Sequence, residues 1–563
     1  AAEAGRWAIV ALLDPSYPLP AAVSDGLAER GEAASASGLL PDRPPLTLLR
    51  EALGFGNTDG MAALAKLCQP EELGGLLLDP ELALEPRAVD WLLGHGADPY
   101  VRDACSDTPM FALLSRGIDA VPALQVMLQR GLSPAGRGGL ARFLAACAQH
   151  DQAARGLEQL ALELLERGAD PFAASPAGDP PLSLAVRLGW LRLQQALLKA
   201  GVDREARDSH GMTALHLATA LAREGALKLL VQHGASPEAR AADGQTPLGV
   251  ALSIGRRDLA DWLDWRVWPL PRRTLREADL PAAAMAGDVD AVRRLIDLGF
   301  AVDAVDAQGC TALLRAAGGG HLAVTDLLLA RGADPQHAAA SGATPLSAAV
   351  SMRQVDIVSA LLDAGAKLEH RLPGGVTVLM LASALGLPDI VARLLTAGAD
   401  VHAGDAQQLG PLHCAALYGF SARDRSRLLA LLDTLLLAGA EPDQAAAGSV
   451  TPLLLLLGAR AEPGTACDEQ VVMAAVERLL DEDVSLDVRD PRGFGPLHLA
   501  ALHGLPLLVQ RLLRAGADPE VRDSLNRSPR EIAVMRGFID VAGEFEPRVP
   551  GVSSMARFLR DNG

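Results

Sequence analysis

Residues 377–400 read TVLMLASALGLPDIVARLLTAGAD, and the organisation of the whole chain follows from these 24 positions. Thr377 can cap a helix through its hydroxyl, and the apolar run behind it stops at Gly386, where a left-handed C-terminal cap suits a residue without a side chain. Ile390, Val391, Leu394 and Leu395 then recur at the spacing of one helix face. That spacing predicts a second helix, ending at Gly398-Ala399-Asp400.

The same start recurs along the chain. It reads TALHLA at 213–218, TPLGVA at 246–251, TALLRA at 311–316, TPLSAA at 344–349 and GPLHCA at 410–415, then TPLLLL at 451–456, GPLHLA at 495–500 and SPREIA at 528–533. From Pro180 through 213, 246, 278, 311, 344, 377 and 410 the steps are 33 or 32 residues, followed by 41, 44 and 33. Where proline follows the threonine it sits at the first helical position, whose amide has no intrahelical partner in any case. A glycine stands nine residues after the threonine position at 117, 189, 255, 287, 320, 386, 419, 504 and 537. A fixed period of this length means that each unit buries its apolar face only against its neighbours.

In period, capping and two-helix content the chain resembles the ankyrin-repeat proteins, whose unit is a β-hairpin finger and two antiparallel helices. The resemblance implies an all-α solenoid with short β-hairpin fingers, an ankyrin-repeat superhelix of about fifteen units. It divides the chain into degenerate N-terminal repeats with Pro-rich linkers (1–84), a first regular array (85–266), an irregular Trp/Pro/Arg finger (267–281), a second array (282–546) and a tail (547–563). AAEAGRWAIVALLD at 1–14 fits the end of one unit's first helix and its second helix, and without an initiator Met the natural protein is expected to extend upstream.

Composition narrows the function classes. The hydrophobic fraction is 49% while Phe, Trp and Tyr number 10, 6 and 3, so the core is built from Leu, Ala and Val. A formal charge of -18 repels phosphate backbones, which makes nucleic acid an unexpected partner. Six cysteines without paired C-x-x-C spacing fit free thiols in a reducing, cytoplasmic compartment. The longest apolar runs, such as 453–457, fall far short of a membrane span. Only four of the 51 basic residues are Lys, a bias expected of a GC-rich bacterial genome.

Chemistry finds little foothold. There is no G-x-S-x-G elbow, phosphate loop or H-E-x-x-H, and GGGH at 318–321 reads as a loose helix cap. His216, His413 and His498 occupy the fourth position of the recurring hexad, where the resemblance implies a structural role. His337, His370 and His402 fall at nearly one finger position, but units ~8–10 Å apart are too widely spaced for three-histidine zinc geometry. No catalytic residue, cofactor or metal is expected.

Surplus residues near 148–156, 420–428 and 461–471 fall between first and second helices. The charges there, Arg423, Arg425 and Arg427 against Glu462, Asp468 and Glu469, are expected to form two solvated neighbouring loops. Trp265 and Trp268 are expected to cover a reshaped finger at a joint between sub-arrays.

The resemblance further implies that the residue before the threonine, and those seven and eight after it, point into a concave groove. The first column gives Val376, Leu409, Val450 and Phe494; the eight-after column gives Met352, Leu385, Tyr418 and His503. The expected function is a non-catalytic protein–protein interaction scaffold that binds a protein partner along this stripe. The alternative is the targeting half of a larger bacterial protein or exported effector, with an enzymatic, membrane or toxin-like domain upstream.

Overall fold

The unit at 311–343 shows how the local code becomes structure. Thr311 is fully buried and its hydroxyl accepts the Leu314 amide at 3.3 Å, starting the helix Ala312–Gly319. Gly320 caps that helix in the left-handed region at φ 78°, and the chain reverses into the helix Leu322–Ala330. Leu313, Ala316, Ala317, Val324 and Leu328 close the space between the two helices and their neighbours with at most 1% exposure. Alanine on these faces is what lets adjacent helices approach closely.

The computed structural model describes residues 45–54, 62–149, 155–463 and 465–546. The readings of 1–14 and of the tail 547–563, and most of the surplus at 148–156, lie outside the described residues. Among those described there are about 29 helices, roughly 12 to 14 repeats, rather than about fifteen. The chain divides into two compact units, Ala1–Leu275 and Arg276–Gly563. Within each, first helices pack on first helices and second on second, as Pro345–Ser351, Val378–Ala384 and Pro411–Ser421 do in the second unit.

The fingers differ from the expected β-hairpins. Among the described residues no strand forms, and only three isolated antiparallel bridges occur, at Arg207–Thr213, Val305–Thr311 and Ala446–Val450. The reason is the turn chemistry. In the finger at 208–212 the Asp208 amide donates to the Met212 carbonyl and the Gly211 amide to the Asp208 carbonyl, both at 2.9 Å, closing a tight loop. The Asp208 carboxylate then accepts the amides of His210 and Met212 at 3.0 and 2.8 Å. Asp306, Asp405, Asp490 and Asp523 repeat the arrangement. A side chain that takes the amides leaves no ladder for a strand to extend.

Histidine ties one repeat to the next. The Gly495 amide donates to His498 Nδ1 at 3.2 Å, which fixes the tautomer, and Nε2–H donates to the Arg527 carbonyl of the following unit at 3.1 Å. His216 does the same between the Thr213 amide (3.3 Å) and the Gln245 carbonyl (3.0 Å). Both rings are fully buried, as is His413, whose Nδ1 accepts the Gly410 amide at 3.2 Å.

The surplus residues mostly lengthen or cap helices. Those near 420–428 extend the helices Pro411–Ser421 and Arg425–Leu437, the second capped by Asp424. Asp468 caps the helix Glu469–Leu480, and Glu469 reaches the next unit to accept the Leu507 and Leu508 amides at 2.6 and 3.0 Å. In the first compact unit Glu158 plays the same part for Arg192 and Leu193, at 2.9 and 3.2 Å. Arg427 donates to the Gly386 carbonyl. These charges bind the array to itself.

Candidate functional site

Three residues of the expected stripe stand at the same end of three consecutive first helices in the second compact unit. Met352 and Leu385 are the C-caps of Pro345–Ser351 and Val378–Ala384, and Tyr418 lies in Pro411–Ser421 at the equivalent position. Met352 is 56% exposed, while Leu385 and Tyr418 are half-buried. Tyr418 lays its ring over Gly386, at φ 63°, where any side chain would overlap the ring carbons. Val376, on the finger before Thr377, is half-buried as well.

The other four members are placed differently. Leu409, Val450 and Phe494 are only 6%, 5% and 6% exposed, and His503 8%, so the open stripe does not continue through them. The column before the threonine packs against the fourth residue of its own hexad and the next finger. Cys310, Leu314 and Ala339 form one such cluster. Phe494 stacks on His498 with centroids 5.5 Å apart and planes 7° from parallel, and the guanidinium carbons of Arg492 and Arg527 lie 4.6 and 5.8 Å from its centroid. His503 donates from Nε2 to the Gly458 carbonyl at 3.1 Å and meets Phe420 edge-on at 4.9 Å.

Burial holds His216, His413, His498 and His503 below the ordinary histidine range, as neutral rings suited to framework roles. Burial also pushes the Cys147 and Cys414 thiols up to about 12, far from a reactive thiolate. Among the described residues no group of three or more His, Cys, Asp or Glu could hold a metal ion. His370 Nε2 meets the Gly342 carbonyl at 2.9 Å.

In the first compact unit Trp265 is buried and donates from Nε1 to the Trp262 carbonyl at 2.8 Å, with Trp268 tilted against it at 5.9 Å. Leu221 and Ile254, 46% and 44% exposed, occupy the same eight-after position as Met352. They lie three and four units upstream of Met352, beyond Gly319 and Ala286, which interrupt the apolar column.

Three profiles match the chain: ankyrin repeats (3 copies) over 144–241, 182–263 and 280–372, ankyrin repeat over 374–406, and ankyrin repeats (many copies) over 479–533. Together they span more than half of it. The chain is an ankyrin-repeat protein with a long array. No curated protein matches it. Among solved structures, the human ASB11 ankyrin repeat domain is 27% identical over 43% of this chain and 98% of its own, with a TM-score of 0.35. The matched families are ankyrin repeats alone, which are usually non-catalytic and typically serve protein–protein interaction. No helix among the described residues is long and apolar enough to cross a membrane.

Proposed function

We propose that this ankyrin array is a non-catalytic scaffold that binds a protein partner on the face formed by the ends of its first helices. Met352, Leu385 and Tyr418 form the centre, with Val376 on the adjoining finger. The observation that carries the reading is positional. Three successive units present large apolar side chains at one exposed or half-exposed site, while Leu409, Val450, Phe494 and His503 nearby are buried. Contiguous apolar surface of this kind is what a partner helix or extended segment covers.

Tyr418 is the anchor, since a half-buried aromatic ring packed over Gly386 brings large contact area at little entropic cost. Truncating an anchor of this kind costs ~2 kcal/mol or more of binding. The double variant Leu385→Ala/Tyr418→Ala is therefore expected to recover its partners from cell lysate at least tenfold less than wild type, measured by quantitative mass spectrometry. Circular dichroism should show an unchanged helix content. Equal recovery would refute the face as the recognition site, and so would a variant that simply unfolds, because the two side chains would then be core.

A further inference from the structure

The last repeats carry a second feature, of different chemistry. Arg489 and Arg522 occupy the same finger position 33 residues apart, both exposed, and Arg489 donates to the Arg522 carbonyl at 3.4 Å. Arg536 ends the first helix Pro529–Arg536 just as His503 ends Pro496–His503 one unit earlier, and Arg492 donates to the Ala459 carbonyl beside Arg460 at 3.0 Å, so these side chains stand at the same end of successive first helices. Arg460 is exposed at the end of the preceding unit's first-helix region. In the same last unit as Arg522 and Arg536, Leu525 and Met535 are each 67% exposed.

The stretch 489–536 holds eight arginines against five carboxylates in a chain whose formal charge is -18. Asp490 and Asp523 are buried in their finger turns accepting backbone amides, so they and the two arginines paired with them leave that excess of three arginines unchanged. Arg492 and Arg527 are paired with those two at 2.6 and 2.7 Å, and Arg522 with Glu531 at 3.0 Å. Among the described residues no ion pair is made by Arg460, Arg489 or Arg536.

We propose that this face docks an acidic, apolar-spaced segment of a protein partner. The inference rests on the reading of the array as a protein-binding scaffold and names the chemistry of one contact. Guanidinium forks match carboxylates bidentately, and the exposed Leu525 and Met535 require apolar side chains between the acids. An extended polyanion such as nucleic acid meets the negative field of the rest of the chain and offers no such side chains.

The test pans a displayed library of 16-residue peptides on the full chain and measures the selected peptides by fluorescence anisotropy. The selected sequences should be enriched in Asp and Glu interleaved with Leu, Ile or Phe. Their affinity should fall at least tenfold in Arg460→Glu/Arg489→Glu/Arg536→Glu, fall similarly between about 50 and 300 mM salt, and stay within about twofold in Leu437→Ala, whose side chain is 85% exposed on a second helix. A melting curve checks that the triple variant folds, with Arg460→Gln/Arg536→Gln as the milder version if it does not. Selection without acidic enrichment, equal binding by the arginine variants, or displacement of the peptide by a single-stranded 20-mer oligonucleotide would overturn the proposal. If the peptides fail while Leu385→Ala/Tyr418→Ala still loses its partners, this inference falls and the scaffold reading stands.

Discussion

Lowering the pH from 7.5 to 5.5 is expected to destabilise the array steeply. His216, His413, His498 and His503 all have folded pKa values pushed down by burial, whereas in the unfolded chain they return to about 6.5. The unfolded state thus binds more protons than the folded one throughout the window between those values. The contribution is complete above about 6.5 and is lost as pH falls toward the folded pKa. Each histidine adds at most about 1.4 kcal/mol per pH unit of that window, and three of the four lie in the second compact unit. Carboxylates do not obscure this window: Asp258, for instance, is held at about 2 by its hydrogen bond to Arg256 and titrates well below it. Urea unfolding at pH 7.5, 6.5 and 5.5 should show midpoints that fall with pH, and His498→Gln should flatten the slope. A midpoint constant over this range would show that the buried rings are not protonation-linked to folding.

Gly234→Ala is expected to cost about 2–4 kcal/mol, far more than an ordinary surface change. Gly234 sits at φ 79°, and a Cβ there would overlap the backbone of Arg273, whose nitrogen and carbonyl carbon are both 2.6 Å from it. The left-handed conformation alone penalises alanine by about 1 kcal/mol. Moving a packed backbone adds a further ~1–3 kcal/mol. The segment displaced is the irregular finger, anchored by the Leu275 amide on the Gln232 carbonyl at 2.8 Å and continuous with the Trp265 and Trp268 pair. Tryptophan emission should therefore shift red in the variant. Gly201→Ala is the control, since Gly201 has φ 84° and open space at its Cβ. It should lose only the conformational part. Equal losses from the two variants would mean that the finger is not seated on Gly234.

Much of this architecture is written in single positions of the repeat. Thr311, Thr344 and Thr377 cap their helices as their place in the hexad implies, and His216 and His498 make the framework contacts expected of them. What the sequence does not carry is which side of a finger residue its neighbours cover. Phe494 looks like an open aromatic until His498 and two arginines are seen stacked on it. Leu409 and Val450 are buried for the related reason that the residue before the hexad packs inward on its own unit. Hairpin fingers fail in the same way, because Asp208 and its equivalents take the amides that a strand would need. Acidic residues in the surplus segments look like free surface charge, yet Glu469 caps a helix 38 residues away. Such contacts span adjacent repeats, and no local pattern announces them.

Recognition of a partner through the ends of the first helices, as proposed above, can be caught covalently in place. A photo-crosslinking side chain placed at Met352, 56% exposed on that face, and in a second protein at Leu437, 85% exposed at the end of the helix Arg425–Leu437, tests it most directly. On irradiation in cells that express the protein, Met352 should give a discrete partner adduct that Leu385→Ala/Tyr418→Ala abolishes, and Leu437 should give none. Adducts of the same partner from Leu437, or an adduct at Met352 that survives loss of Leu385 and Tyr418, would contradict the account.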